Sequence, residues 1–313
     1  YAFGVEGRLR AHRVADGGLL WEVDTSERYG VVQNFFGAGS TPVVEDDLLL
    51  VPVGGSPPGT PKIHSGEVVP DGSGIVAFDK RTGEVRYTLG DELASYATPV
   101  VVDLGGRRRG FHFARGGLLG FDPGRGTVDF HFPWRATILE SVNAASPVVV
   151  GDLVFISETY GPGSALLKIR DQSYEVVWKD PPGRRNHSLS LHWSTPIHHR
   201  GHLYASSGRN TGDAELRAVE LETGKVAWSQ PGLSRSTLLM VDDRLLVFTE
   251  YGRLLLVDAT PERYVEIADL TPRGADGKPR LHYPAWSPPA LADGLVYLRG
   301  KGRLLAAELI PPR

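Results

Sequence analysis

Short hydrophobic runs, each closed by a polar turn, follow one another along the whole chain and read as β-strands. Their order within a unit is constant. A first run such as VV (43–44) follows a Ser/Thr-Pro element and ends at a polar turn, as in EDD (45–47), GD (151–152), RGH (200–202), DDR (242–244) and ADG (292–294). A second strand comes next: LLLVPV (48–53), LVFIS (153–157), LYASS (203–207), LLVFT (245–249) and LVYLR (295–299). After a loop comes a third: IVAFD (75–79), LLGFD (118–122), ALLKI (165–169), LRAVEL (216–221), LLLVD (254–258) and LLAAEL (304–309). A tight turn then opens a fourth strand. Polar and apolar residues alternate imperfectly, as strands buried on both faces between stacked sheets require.

Two phrases punctuate these units. One is a turn leading to an aromatic residue: AHRVADGGLLW (11–21), AFDKRTGEVRY (77–87), GFDPGRGTVDF (120–130), KIRDQSYEVVW (168–178) and AVELETGKVAW (218–228). The other is the Ser/Thr-Pro element: STPVV (40–44), ATPVV (97–101), ASPVV (145–149), STPIH (194–198), the degenerate STLLM (236–240) and SPPAL (287–291). A period of about fifty residues built only from strand signals predicts an all-β fold, a β-propeller of four-stranded antiparallel blades. Counting second-plus-third strand pairs from YAFGV/LRAHR to LVYLR/LLAAE gives seven blades; a slip of one pair would make six or eight. The first unit lacks its Ser/Thr-Pro strand and the last lacks its fourth, the pattern expected if ring-closing N-terminal strands have been cut away. Residues 1–313 are therefore expected to form one propeller domain, an N-terminally truncated fragment of a longer chain that starts inside a strand-like run.

The turns have their own chemistry. Gly17, Gly83, Gly126 and Gly224 stand four residues before the aromatic, where a tight hairpin needs positive φ, and Tyr174 in the fourth copy requires a different turn. Asp79, Asp122 and Glu220 stand eight residues before it and are expected to accept backbone N–H bonds. Trp21, Tyr87, Phe130, Trp178 and Trp228 are expected to pack between neighbouring blades.

Composition narrows the functional classes. Of 313 residues, 41% are hydrophobic and 23% charged, ordinary for a globular chain, and the 38 Gly and 23 Pro are spread along it as turn markers. A formal net charge of −3 with no basic stripe argues against nucleic acid. Arg107, Arg108 and Arg109 form the one tight basic run, read as a solvated hairpin tip. With Cys 0 there is no disulfide, thiolate metal site or cysteine nucleophile. No run of eighteen apolar residues suggests a transmembrane helix. His198, His199 and His202 sit together in STPIHHRGHLY (194–204), but alternation along a hairpin sends adjacent side chains apart, and no metal site is expected.

The turn phrase, clearest in AVELETGKVAW (218–228) and AFDKRTGEVRY (77–87), resembles the tryptophan-containing repeat of the PQQ-like propellers over nearly the whole chain. That superfamily includes quinoprotein alcohol dehydrogenases and the propeller lipoprotein of the bacterial outer-membrane assembly machine. The resemblance implies a location outside the cytoplasm, in the periplasm. It also opens the alternative of a divergent quinoprotein dehydrogenase with PQQ and Ca²⁺. The vicinal cysteine pair, the acidic calcium cluster and the haem-attachment motif of such enzymes have no counterpart here.

Propeller connectivity places the loops between second and third strands, and those leading into first strands, on one face. These are the long ones, including GSPPGTPKIHSGEVVPDG (55–72), PGRRNHSLSLHW (182–193) and LTPRGADGKPRLHYPAW (270–286). Just before first strands stand Gln33, Asn34, Tyr96, Asn143, His192, Trp193, Arg235 and Trp286; the second-to-third loops add Glu158, Tyr160, Arg209, Asn210 and Glu250. This mixture of amide, aromatic, cationic and acidic groups would suit a sugar, a peptide segment or a carboxylated cofactor. The leading expectation is a monomeric, non-catalytic scaffold that binds a protein partner or small polar ligand on this face, with no cofactor. The third reading is a glycan-active hydrolase or lyase using His192 as general base.

Overall fold

The structure is a computed structural model and describes residues 1–32, 36–60, 68–136, 138, 143–183 and 186–308. Two compact units are formed, Tyr1–Val177 with Pro182–Arg184, and Trp178–Pro181 with Arg185–Arg313.

Four sheets lie in the first unit. The first contains β1 (Ala2–Phe3), β2 (Arg8–His12) and β3 (Leu19–Asp24), followed by one helical turn, α1 (Thr25–Arg28), capped by Asp24. The second contains β4 (Val43–Glu45), β5 (Leu48–Pro52), β6 (Ile75–Asp79) and β7 (Val85–Leu89). The third contains β8 (Val100–Leu104), β9 (Arg107–Phe113), β10 (Gly117–Asp122) and β11 (Thr127–Pro133). The fourth contains β12 (Val148–Val150), β13 (Leu153–Glu158), β14 (Gly163–Ile169) and β15 (Tyr174–Lys179), whose last two residues belong to the second unit.

The second unit has three sheets. Its first contains β16 (Ile197–His199), β17 (His202–Ser207), β18 (Glu215–Glu220) and β19 (Val226–Pro231). Next come β20 (Ser236–Val241), β21 (Arg244–Thr249), β22 (Leu254–Asp258) and β23 (Glu266–Leu270). The last contains β24 (Ala290–Ala292), β25 (Leu295–Gly300) and β26 (Arg303–Glu308). Among the described residues these seven sheets are antiparallel meanders, the blades of a β-propeller, with three strands in the first and last as the sequence pattern predicts. No described helix is long and apolar enough to cross a membrane.

Period-two geometry explains the unbroken hydrophobic runs. Leu49 and Val51 pack with Leu9 of the first sheet, while Leu50 between them packs with Phe121 of the third. In the second unit Leu245 and Val247 face Tyr204 and Ala218, while Leu246 and Phe248 face Val296 and Leu298.

The two recurring phrases turn out to be clasps between consecutive sheets. Trp21 Nε1 donates to Lys80 O at 3.3 Å, and the Tyr87 hydroxyl donates to Pro123 O. Trp178 Nε1 donates to Leu221 O at 2.9 Å and Trp228 Nε1 to Thr260 O at 2.8 Å. Phe130, with no polar tip, packs on Tyr174 at 5.1 Å. Three of the receiving turns carry a glycine at positive φ, Gly83, Gly126 and Gly224: Gly83 has φ 75°, and a Cβ there would lie 2.8 Å from the Trp21 ring. Asp79 Oδ1 accepts from Arg81 N and Thr82 N, and Asp122 Oδ1 from Arg125 N, as the turn position requires. The Tyr174 turn does differ, closing through Arg170 N to Ser173 O. The Ser/Thr-Pro element is a relay: Thr41 N donates to Thr98 Oγ1 at 3.1 Å, and Thr98 N donates to Ser146 Oγ at 3.0 Å.

The arginine run is corrected by the structure. The turn is Gly105–Gly106, and Arg107, Arg108 and Arg109 lie inside β9. Alternation sends Arg108 back to Glu45 of the second sheet (both contacts 2.6 Å). Arg107 and Arg109 point the other way, to Asp171 of the fourth sheet at 3.0 and 2.9 Å, and Arg107 also meets the buried Asp129 at 3.0 Å. The run is an ion-paired brace, not a solvated tip.

Candidate functional site

Gln33 and Asn34 lie outside the described residues. In the first unit the structure brings Tyr96 and Asn143 together, because Tyr96 N donates to Asn143 O at 2.9 Å. Asn143 is buried and its amide donates to Ala114 O at 2.6 Å, so it fastens one loop to another. The Tyr96 hydroxyl accepts from Phe36 N at 2.7 Å, and burial raises its phenol above the ordinary value. Glu158 is buried, and its carboxylate accepts from Tyr160 N at 2.7 Å. These four hold loops in place.

The second unit gathers a denser group at the loops entering β16, β20 and β24 and at those following β17 and β21. Arg235 is its centre. Its Nε and Nη2 donate to Glu250 Oε2 at 3.0 and 2.6 Å, and its Nη1 reaches Arg209 O at 3.2 Å and His192 Nδ1 at 3.4 Å. The guanidinium carbon lies 4.7 Å from the Trp193 ring centre and 5.7 Å from that of Trp286, cation–π distances. Glu250, fully buried, also accepts from Thr211 Oγ1 at 2.8 Å and Trp286 Nε1 at 3.2 Å. Burial alone would raise its carboxyl, but the bonds from Arg235, Thr211 and Trp286 outweigh burial and hold it below the ordinary range.

Outward from this pair runs a chain of rings. Trp193 and Trp286 have centroids 5.4 Å apart, Tyr283 meets Trp286 edge-on at 5.7 Å, and Tyr251 lies 5.3 Å from Tyr283. Tyr251, Tyr283 and Trp286 are 54%, 43% and 42% exposed, so their faces reach solvent while their inner edges are fixed. Thr211, Tyr251 and Tyr283 were not singled out by the sequence pattern. The signal for the tyrosines was their place in TEYGR (249–253) and HYPAW (282–286), long-loop segments with aromatic residues.

His192 lies 5.0 Å from Trp193. Burial, then the nearby Arg235 and Arg209 charges, push its imidazole down to about 4, so it is neutral near pH 7. Asn210 does not join the cluster: its backbone and side-chain nitrogens donate to Asp213 at 2.7 and 3.0 Å, closing its own exposed turn. The three histidines on the opposite connections also go separate ways. His199 faces Asp243 at 3.2 Å, His198 Nε2 accepts from Gly201 N, and His202 Nδ1 lies 3.2 Å from Arg200 O.

The calcium-bound quinone that the resemblance brings with it would need converging oxygen ligands and an acidic side chain free to act. Among the described residues no three His, Cys, Asp or Glu side chains are placed to share a cation. Both Glu250 oxygens are already engaged by protein donors, so the residues of this cluster do not fit that group.

A family model described as outer membrane protein assembly factor BamB matches residues 5–261. Among solved structures, BamB from Moraxella catarrhalis aligns with a TM-score of 0.62 at 13% identity, covering 96% of this chain and 76% of that one. The computationally designed Ika8 protein aligns at 0.48 with 10% identity over 97% of this chain and 91% of its own. Apo AztD from Citrobacter koseri aligns at 0.45 with 14% identity over 83% and 65%. No curated protein matches the chain by sequence. At such identities the first of these likenesses shows the fold alone.

Proposed function

The chain belongs to the family described as outer membrane protein assembly factor BamB, and from that membership we propose that it is a non-catalytic binding scaffold working outside the cytoplasm. Its second unit would hold a protein partner or a small polar ligand on the long-loop side, at Tyr251, Tyr283 and Trp286.

The observation that carries this reading is the saturation of Glu250. A catalytic carboxylate must exchange a proton or offer a lone pair. Glu250 is fully buried, its carboxyl is held below the ordinary range, and its oxygens accept from Arg235, Thr211 and Trp286. The buried pair fixes the aromatic rings and leaves their outer faces as anchors, the residue types that dominate binding hot spots. His192, with Arg235 Nη1 at its Nδ1, is placed as a support for the guanidinium.

The test is a photo-crosslinking residue at Tyr251 in the full-length protein in its own cells. A discrete adduct that weakens about tenfold or more with Trp286→Ala is expected. Loss of the aromatic faces without effect on any adduct would overturn the reading. A rise in melting temperature with PQQ and Ca²⁺, together with dye-linked alcohol oxidation, would replace it with the quinoprotein reading.

A further inference from the structure

The chain of rings from Trp193 to Tyr251 is not flat. Trp193 and Trp286 are tilted by 50°, Tyr283 stands at 87° to Trp286, and Tyr251 is turned 31° from Tyr283. Successive rings therefore form corners and not one level platform. A pyranose stacks its face on a ring, and a run of sugars needs rings that share a plane. A corner holds a compact, non-planar apolar group on two sides, and the pyrrolidine ring of proline is such a group.

Hydrogen-bonding capacity around the rings is equally one-sided. The acceptors are engaged. Glu250 takes bonds from Arg235, Thr211 and Trp286, Asp213 takes both nitrogens of Asn210, and His192 Nδ1 faces Arg235 Nη1. What is left over is donors. Trp193 Nε1 is buried with no acceptor, an N–H that costs free energy until it is paired. Lys301, exposed, is tied to the Tyr283 segment by its backbone N, which donates to His282 O at 3.2 Å. Among the described residues no carboxylate pairs with its ammonium. Indole N–H and ammonium groups donate and do not accept.

A ligand for this site must therefore offer acceptors, need none, and present compact apolar rings. Proline residues offer a carbonyl and no N–H, and in the polyproline II form those carbonyls carry no internal hydrogen bonds. Sugar hydroxyls donate as well as accept, and their protons would find the nearby carboxylates taken. We infer, on the binding role proposed above for these rings, that they dock a proline-rich segment of another polypeptide with an acidic residue beside the prolines. Its pyrrolidine rings occupy the corners at Trp286, Tyr283 and Tyr251. One of its carbonyls accepts from Trp193 Nε1, and its carboxylate meets Lys301. Both sides are stiff beforehand, the segment by its fixed φ and the rings by the Arg235–Glu250 pair, so little order is lost on binding.

The probe is the synthetic peptide PPPPPPEE, titrated into the 313-residue chain and followed by tryptophan emission. Saturable binding is expected, with AAAAAAEE at least tenfold weaker. Trp193→Phe keeps a ring and removes the N–H, and should weaken the peptide about fivefold, the loss of one hydrogen bond. Tyr251→Ala, at an exposed position, should weaken it about tenfold, with an unchanged melting temperature. Equal binding of the two peptides, no saturable binding of either, or binding indifferent to both substitutions would overturn the proposal. So would saturation by cellohexaose in place of the peptide, which would make the rings a glycan site. A Tyr251 crosslink that survives any of these failures leaves the scaffold role standing and removes only the proline-rich ligand.

Discussion

Arg235 Nη2 lies 2.6 Å from Glu250 Oε2, and the side chains are only 14% and 0% exposed. A buried ion pair is costly to break from one side, because the survivor is left uncompensated. Glu250→Ala should therefore destabilise the protein by about 3–5 kcal/mol. The double replacement Arg235→Met with Glu250→Leu should recover most of that loss. Urea denaturation of the two variants checks the order. Recovery without the tryptophan emission of the native protein would show that the pair also sets the position of Trp286.

Ser146 acts on its neighbour through one oxygen. Ser146→Ala removes the acceptor for Thr98 N and is expected to cost about 1 kcal/mol. Thr98→Val should cost a similar amount by leaving Thr41 N without its acceptor, whereas Thr98→Ser should be close to neutral. Thermal melts of the three variants decide whether the hydroxyl relay explains the recurrence of Ser and Thr before proline.

Two turn glycines with the same backbone conformation should respond differently to a methyl group. Gly17 has φ 72°, and an added Cβ would meet nothing within 4 Å; Gly17→Ala should cost only the left-handed penalty, about 1–2 kcal/mol. At Gly126, φ 67°, the Cβ would lie 2.7 Å from the Tyr87 ring, so Gly126→Ala must also displace the clasp. Its loss in chemical denaturation should exceed that of Gly17→Ala by a clear margin.

Stability should fall as the solution is acidified, from two buried imidazoles. Burial pushes His112 down to about 3, and burial with Arg235 and Arg209 pushes His192 down to about 4, against 6.5 for a free side chain. Below pH 6.5 the unfolded chain binds protons that the folded chain refuses, so stability rises with pH across this window. The contribution is complete above pH 6.5 and is lost progressively toward the folded values. His112→Leu should flatten the melting-temperature profile between these limits. A variant with the native acid slope would remove His112 from the account.

Strands and turns were legible because each obeys local chemistry: Gly at positive φ, Asp accepting from the next turn, Pro after Ser or Thr. The aromatic clasps were legible in kind, since repeated large rings at one register need a neighbour to cover them. The arginine run was misplaced because its meaning lies far off in the chain. Glu45 and Asp171 lie 63 and 64 residues from Arg108 and Arg107, and no local pattern announces them. Much the same holds for the loop cluster. Arg235, Glu250 and Trp286 were recognisable as loop residues with suitable chemistry, but their mutual saturation depends on geometry between loops. Asn210 shared that chemistry and is diverted by Asp213, three residues away.

The clasps all point in one direction. In each case the ring belongs to an earlier sheet and the receiving carbonyl to the next one along the chain: Trp21 to Lys80, Tyr87 to Pro123, Trp178 to Leu221, Trp228 to Thr260. A sheet that opens therefore strips support from its predecessor while its successor keeps its own turn intact. Within each unit, damage should travel toward the N-terminus, like a row of tiles lifted from the overlapped end.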